Sequence, residues 1–328
     1  EIYTLSLHDA LPIWSAWKDE PASWGRVEEA AAGLLETVDI TAIPVWDSGR
    51  RRREVLDLVE QLRATAAQDY SRSLFSRPRT AGALAHALRY AVELGDPQAA
   101  LSLSDAVDLL DETLGSDHPD ALAARGGLAA AYQAADRLEQ AIFLFERTLT
   151  DSEHILGSDH PHTLTSRGNL ATAYEIADRL EQAIDLFERT LTDSEHILGP
   201  NHPHTLTSRG NLANTYWSAG RRDEAIDLYE QNLADRERFL GPDHSCTLTS
   251  RDDLAYAYQS AGRLDKAVPL FEQILADRER RLGSDHTSTR LFRKKLADAY
   301  RTVGRDEDAE ALRSEEHTSE LQSRSAIS

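Results

Sequence analysis

The sequence predicts an all-α fold, an α-α superhelix or solenoid of stacked helix-turn-helix repeats, and three observations predict it. A six-residue string recurs at a fixed interval, apolar residues between its copies fall at spacings of three and four, and turn-forming residues punctuate each unit at the same places. LGSDHP begins at Leu114 and Leu156, LGPNHP at Leu198, LGPDHS at Leu240 and LGSDHT at Leu282, each step being 42 residues. Tyr132, Tyr174, Tyr216, Tyr258 and Tyr300 recur in register, as do Ala141, Ala183, Ala225, Ala267 and Ala309. Phe145, Phe187, Tyr229 and Phe271 form a third column. Self-similarity at such a period is the signature of a stacked array, in which each unit buries its apolar face on its neighbours.

The elements follow in chain order. Residues Glu1 to Ile13 (EIYTLSLHDALPI) resemble the translation of a sequencing adapter, and Arg313 to Ser323 (RSEEHTSELQS) resemble the translation of the opposite one. We therefore expect residues 1–13 and 313–328 to be foreign to the fold. Residues 14–71 read as a helical segment, with one helix near Ser23 to Val38 and a second near Arg50 to Ala67 carrying Val55, Leu56, Val59 and Leu62. This segment is expected to cap the array or to be the remnant of an upstream domain. Running the register back places Tyr90 and Ala99 on the repeat columns, so residues 72–113 read as a degenerate repeat. Full repeats are expected at 114–155, 156–197, 198–239 and 240–281, with a truncated one at 282–312.

Each unit reads as two helices. In the second full repeat Leu164, Leu170, Ala171 and Tyr174 make one apolar stripe, and Leu180, Ala183, Ile184, Phe187, Leu191 and Leu198 make the other. The turn between them is Ala177-Asp178-Arg179, with glycine at the central position in later units (Gly220, Gly262). Glycine, and at greater cost Asp, adopts the left-handed conformation that ends a helix. Gly157 suits the stop of the second helix and Pro161 the first turn of the next, leaving His160 as the boundary.

Leu170-Ala171…Tyr174 on the first helix and Ala183…Phe187 on the second resemble the tetratricopeptide repeat, in the 42-residue form similar to that of kinesin light chains. The resemblance covers roughly Arg72 to Leu312. One departure is that the family's tryptophan near the start of the first helix is here Arg125, Arg167, Arg209, Arg251 and Arg293. An arginine recurring at one position is expected to pack its stem along the neighbouring helix.

Composition narrows the function. The chain has 328 residues, 56 acidic against 36 basic side chains, one cysteine and no methionine. A net charge of −20 argues against nucleic acid or an anionic membrane as the partner. The single cysteine excludes a disulfide framework and a multi-cysteine zinc site. No apolar run reaches the roughly 18 residues of a membrane span, and the chain reads as cytoplasmic. None of the four lysines follows a glycine as a phosphate loop requires. Cys246 with His244 reads as a drifted loop position, since cysteine chemistry needs an oriented base and an oxyanion site. The histidine column His118, His160, His202, His244 and His286 is spread one per unit, which separates would-be ligands and favours a helix-boundary role over a metal site. Asp252 and Asp253, adjacent on a helix, face different directions and make no acid–base dyad. Arg50 to Arg53 read as a solvated first helical turn rather than a phosphate site. No catalytic residue, metal or cofactor is expected, and the protein reads as a non-enzyme.

The resemblance implies that first helices line a concave groove. Carried over residue by residue, the groove positions are Asn169, Thr172 and Glu175, then Asn211, Asn214 and Trp217, then Asp253, Tyr256 and Gln259. Similar proteins use asparagines there to bond the backbone of an extended peptide, for which an amide is suited because it both donates and accepts. Trp217 and Tyr256 would supply apolar anchors. Groove lysines, used by relatives that bind a terminal carboxylate, occur only as Lys294 and Lys295. The leading expectation is thus a non-catalytic scaffold holding peptide segments of a protein partner, with the acidic balance favouring a partner that carries basic residues. The alternative is the sensor end of a larger bacterial signalling ATPase or regulator whose catalytic domain lies upstream.

Overall fold

A histidine cap marks the start of each repeat from residue 118 on, followed by proline at 119, 161 and 203 and by Ser245 and Thr287 in the last two. The computed structural model describes residues 48–67 and 71–312, and the expectations for the two adapter-like ends and for a helix at 23–38 lie outside them. The described residues hold helices and no strand. The described residues divide into two compact units, the first ending at residue 186 and the second beginning at residue 187. The first contains α1 (Ser48–Ala66), α2 (Ser71–Phe75), α3 (Pro78–Glu93), α4 (Pro97–Leu101), α5 (Ser104–Leu114), α6 (Pro119–Ala134), α7 (Leu138–Ile155) and α8 (Pro161–Ile176). The division falls within α9 (Leu180–Ile197). The second continues with α10 (Pro203–Ser218), α11 (Arg222–Phe239), α12 (Ser245–Ser260), α13 (Leu264–Leu282) and α14 (Thr287–Thr302), and residues 306–312 are again helical.

The first helix of each hairpin starts on its histidine, as the sequence suggested. His118, His160, His202, His244 and His286 have extended backbone, and each Nδ1 accepts the backbone N–H two residues on at 3.2 Å. One of the unpaired donors of the helix end is thereby satisfied. The hairpin turn needs a left-handed residue: φ is 59° at Asp178 and 78° at Gly220. Glycine adopts this without steric cost, whereas Asp does so against its Cβ.

Packing follows the columns. Ala141, Ala183, Ala225, Ala267 and Ala309 are fully buried, and Phe145, Phe187 and Phe271 are nearly so. A larger residue in the alanine column would overpack a close helix crossing, at about 1–3 kcal/mol. In the first unit Val55, Leu58 and Leu62 of α1 share one buried core with Leu84 and Leu88 of α3 and Leu103. The register slips by one residue in the degenerate repeat. Ala99 is half-buried and gives its N–H to the Asp96 carboxylate, while Ala100 is the fully buried residue. Its second helix is also broken in two between α4 and α5.

Candidate functional site

The first helices are held by two polar columns, one of arginines and one of tyrosines. The arginine column does more than lay its stems along a neighbour, because the guanidinium itself is buried. In the first unit Arg125, 1% exposed, donates to Asp151 of α7 at 2.5 Å, to Asp111 of α5 at 3.2 Å and to the Ser116 carbonyl at 2.7 Å. In the second, Arg209 pairs with Glu195 of α9 at 2.8 Å and Asp235 of α11 at 2.5 Å, and Arg251 pairs with Glu237 and Asp277 at 2.7 and 2.6 Å. A buried guanidinium needs such planar, multidentate acceptors. The tyrosine column is the second. Tyr174 donates to Glu146 and Tyr216 to Glu188, both at 2.6 Å, and Tyr300 to Glu272 at 2.7 Å. Burial, then the carboxylate partner, pushes these three phenols up to about 12.

The nine residues expected on the binding face divide between the units. Asn169, Thr172 and Glu175 lie on α8, with Asn169 exposed and the other two half-buried. The Thr172 hydroxyl turns back to the Gly168 carbonyl at 3.0 Å. The remaining six lie in the second unit, on α10 and α12. Trp217 and Tyr256 meet edge to face with ring centres 6.4 Å apart, and Tyr256 is 57% exposed. Cations flank the pair: the Arg222 guanidinium lies 4.2 Å from the Trp217 ring centre and the Lys295 ammonium 5.7 Å from that of Tyr256. Burial lowers the Lys295 pKa. Asn214 is exposed, but its Oδ1 already accepts from the Tyr229 hydroxyl at 2.7 Å, leaving its amide N–H groups to donate. Asn211 and Gln259 are half-buried. Asp253 breaks the asparagine column: burial and the neighbouring Asp252 push its carboxyl upward, against Arg236. Arg222 was not singled out in the sequence, although the Arg221-Arg222 pair after the turn glycine marks where its repeat differs from Asp-Arg-Leu or Gly-Arg-Leu.

Other candidates resolve into structural roles. Arg50 to Arg53 are not simply solvated. Arg52 donates to the Leu94 carbonyl and to Asp96, at 3.3 and 3.4 Å, and Arg51 sits 5.2 Å from the Tyr90 ring centre, so these two hold α1 against the following hairpin. Cys246 lies in the first turn of α12 rather than in a loop, and its backbone N–H, not its thiol, meets His244. Asp252 turns to Arg278 at 3.5 Å, while Asp253 feels Arg236, so the two carboxylates do address different partners. Among the described residues no three His, Cys, Asp or Glu side chains gather as metal ligands. No helix among them is long and apolar enough to cross a membrane.

Tetratricopeptide repeat models match residues 121–162 and, in overlapping windows, 144–196, 177–237, 210–280 and 253–313. The chain belongs to the tetratricopeptide repeat family. Its solved neighbours include two crystal structures of a kinesin-light-chain-type protein from Podosopora anserina with nearly identical TPR-like repeats. These are 32% and 33% identical, cover 63% of this chain and 96% and 97% of their own, and superpose with a TM-score of 0.56. BtubC from P. vanneervenii is 18% identical over 74% of this chain and 92% of its own, with a TM-score of 0.52. The apo form of RapI is 12% identical over 80% and 90%, also at 0.52. These last two share the fold alone. Comparison with curated protein sequences returns no match. This tetratricopeptide repeat protein therefore has the α-α superhelix fold class, and its repeats are of a kind that generally serves as a non-catalytic scaffold for protein partners.

Proposed function

We propose that this protein holds an extended peptide segment of a protein partner against the exposed faces of its first helices. The observation that carries the reading is the Trp217–Tyr256 pair on successive first helices, a half-buried indole against an exposed phenol with ring centres 6.4 Å apart, bordered by polar side chains able to bond a peptide backbone. Asn211, Gln259 and the free amide N–H groups of Asn214 supply donors and acceptors beside it, and Asn169 occupies the equivalent column in the first unit. Each backbone bond contributes only about 0.5–1.5 kcal/mol net, so several must act together with the aromatic anchor. The net charge of −20 steers basic segments toward the chain, an effect on encounter more than on tight pairing.

The test is selection of peptides from a random library on the full chain, followed by binding to the triple variant Asn169→Ala, Asn211→Ala, Trp217→Ala. The selected peptides should lose at least about tenfold in affinity, as truncation of an aromatic anchor alone costs about 2 kcal/mol, with the helical circular dichroism unchanged. Equal binding by the variant sinks the assignment of this face.

A further inference from the structure

A cavity of about 260 Å³ in the second unit is bounded by Leu248, Ile274 and Leu282. Two successive junctions differ around it. In the earlier one Arg236 is tucked inside, donating to the carbonyls of Leu206 and Cys246 at 3.1 and 3.0 Å and to Ser250 Oγ at 2.8 Å. Gly210 makes room for this: a Cβ there would stand 3.1 Å from Asn232 Nδ2 and 3.6 Å from Arg236 Nη2. One period later the arginine is kept, as Arg278, but its surroundings change. Asp252 stands in the place of Gly210, Phe292 in that of Ser250 and Ile274 in that of Asn232. Arg278 lies over the Phe292 ring at 4.4 Å and reaches Ser288 Oγ at 3.1 Å and Asp252 at 3.5 Å. Leu248 consequently stays half-buried, whereas its counterpart Leu206 is 1% exposed. By the 42-residue register, the lining residues Leu248, Asp252, Ile274 and Arg278 correspond to Leu206, Gly210, Asn232 and Arg236 of the junction before.

Two aspartates and two arginines lie on the rim, and both aspartates have arginine partners. Asp277 is occupied by Arg251 at 2.6 Å and Arg280 at 2.7 Å, and Asp252 faces Arg278. Arg281, also on the rim, is exposed and pairs with no carboxylate among the described residues. We propose that this cavity binds a small amphipathic anion, with a short aliphatic or aromatic body against Leu248, Ile274 and Leu282 and a carboxylate at Arg281. The volume lies just under the roughly 300–1,000 Å³ usual for small-molecule sites, which limits the body to a short one. The cavity draws on the N-terminal half of α12, whereas Tyr256 lies in its C-terminal half, so the site does not depend on the peptide-binding reading.

The probe is octanoate, with 1-octanol as its uncharged counterpart, titrated into the full chain by ligand-observed NMR. Octanoate should bind saturably and more tightly than octanol. Arg281→Ala, an exposed change, should weaken octanoate about two- to fivefold, as expected for one exposed charge contact, and leave octanol unaffected. Leu248→Phe, which fills the space, should abolish both, while Trp217→Ala should change neither. Absence of saturable octanoate binding overturns the proposal, as does binding that Arg281→Ala leaves unchanged.

Discussion

Arg209 and Asp235 face each other at 2.5 Å across the α10–α11 hairpin, the arginine side chain 5% exposed and the aspartate 31%. The same guanidinium reaches Glu195 at the end of α9, which is 42% exposed. One buried cation thus ties a first helix both to its own second helix and to the one before it. Arg251 repeats the arrangement on α12 with Glu237 and Asp277, and Arg125 on α6 with Asp111 and Asp151. The exposure asymmetry matters, because only the arginine depends on its partners for solvation.

That asymmetry orders the mutational costs. Removing both acids by Glu195→Ala and Asp235→Ala strands a buried charge, for which about 3–5 kcal/mol is expected. Arg209→Met instead leaves carboxylates that water can reach and keeps much of the apolar stem, so its cost should be clearly smaller. Urea denaturation followed by helical circular dichroism compares the two, using midpoints, since repeat arrays need not unfold in one step. A larger loss for Arg209→Met contradicts this account of the column.

The tyrosine column makes the fold sensitive to alkali. Tyr174, Tyr216 and Tyr300 are raised from 10.0 to about 12, burial first and the carboxylate partner second. Between those values the folded chain keeps protons that the unfolded chain has released. The stability they supply is complete below pH 10 and drains away as the pH rises through 12. Phenolate absorbance should therefore show a late-titrating class of tyrosines. Glu188→Gln, which keeps an acceptor but removes the charge beside Tyr216, should bring one of them forward.

Much of this architecture could be read from spacing. Leu170, Tyr174, Ala183 and Phe187 announce their faces by period alone, and His160-Pro161 announces a helix start through backbone sterics. What spacing hides is which polar atoms meet. The partners of Arg209 stand 14 residues before it and 26 after, and the acids do recur at those offsets in the other units, but a one-unit reading sees only an exposed-looking charge. The slip from Ala99 to Ala100 was hidden because a break in the second helix shifts phase without changing composition. On the proposed binding face, nothing local to Asn214 shows that the Tyr229 hydroxyl, 15 residues on, occupies its oxygen. The pairing of Trp217 with Tyr256 depends on how two first helices stand together, which no local pattern encodes.

The hairpin turns offer a stability gain. Asp178 holds φ at 59°, where Gly220 occupies the matching turn at 78°. Asp178→Gly should stabilise the chain by a few tenths to about 1 kcal/mol, the relief of a left-handed Cβ partly offset by the entropy of a new glycine. Gly220→Ala should destabilise by about 1–2 kcal/mol. Thermal and urea midpoints of the two variants test the pair, and a loss of stability in Asp178→Gly would mean that the aspartate side chain contributes a bond worth more than the strain.

Acid acts on this fold through His204, beside the His202 cap. His202 Nδ1 accepts the His204 N–H at 3.2 Å, and the His204 ring, half-buried, lies 3.5 Å from Ser194 Oγ. Burial, and secondly the neighbouring His202, push the His204 pKa below its ordinary 6.5. The unfolded chain therefore takes up a proton near pH 6.5 that the folded chain still refuses, so the stability is whole above that value and falls as the pH drops below it. His204→Gln should flatten this part of the acid dependence of the urea midpoint. His202→Ala should lose about 1 kcal/mol at neutral pH by removing the cap, and His202→Asn should restore most of it, because an amide oxygen can accept the same N–H. An acid slope of the urea midpoint that His204→Gln leaves unchanged would contradict the role given to the buried His204 ring.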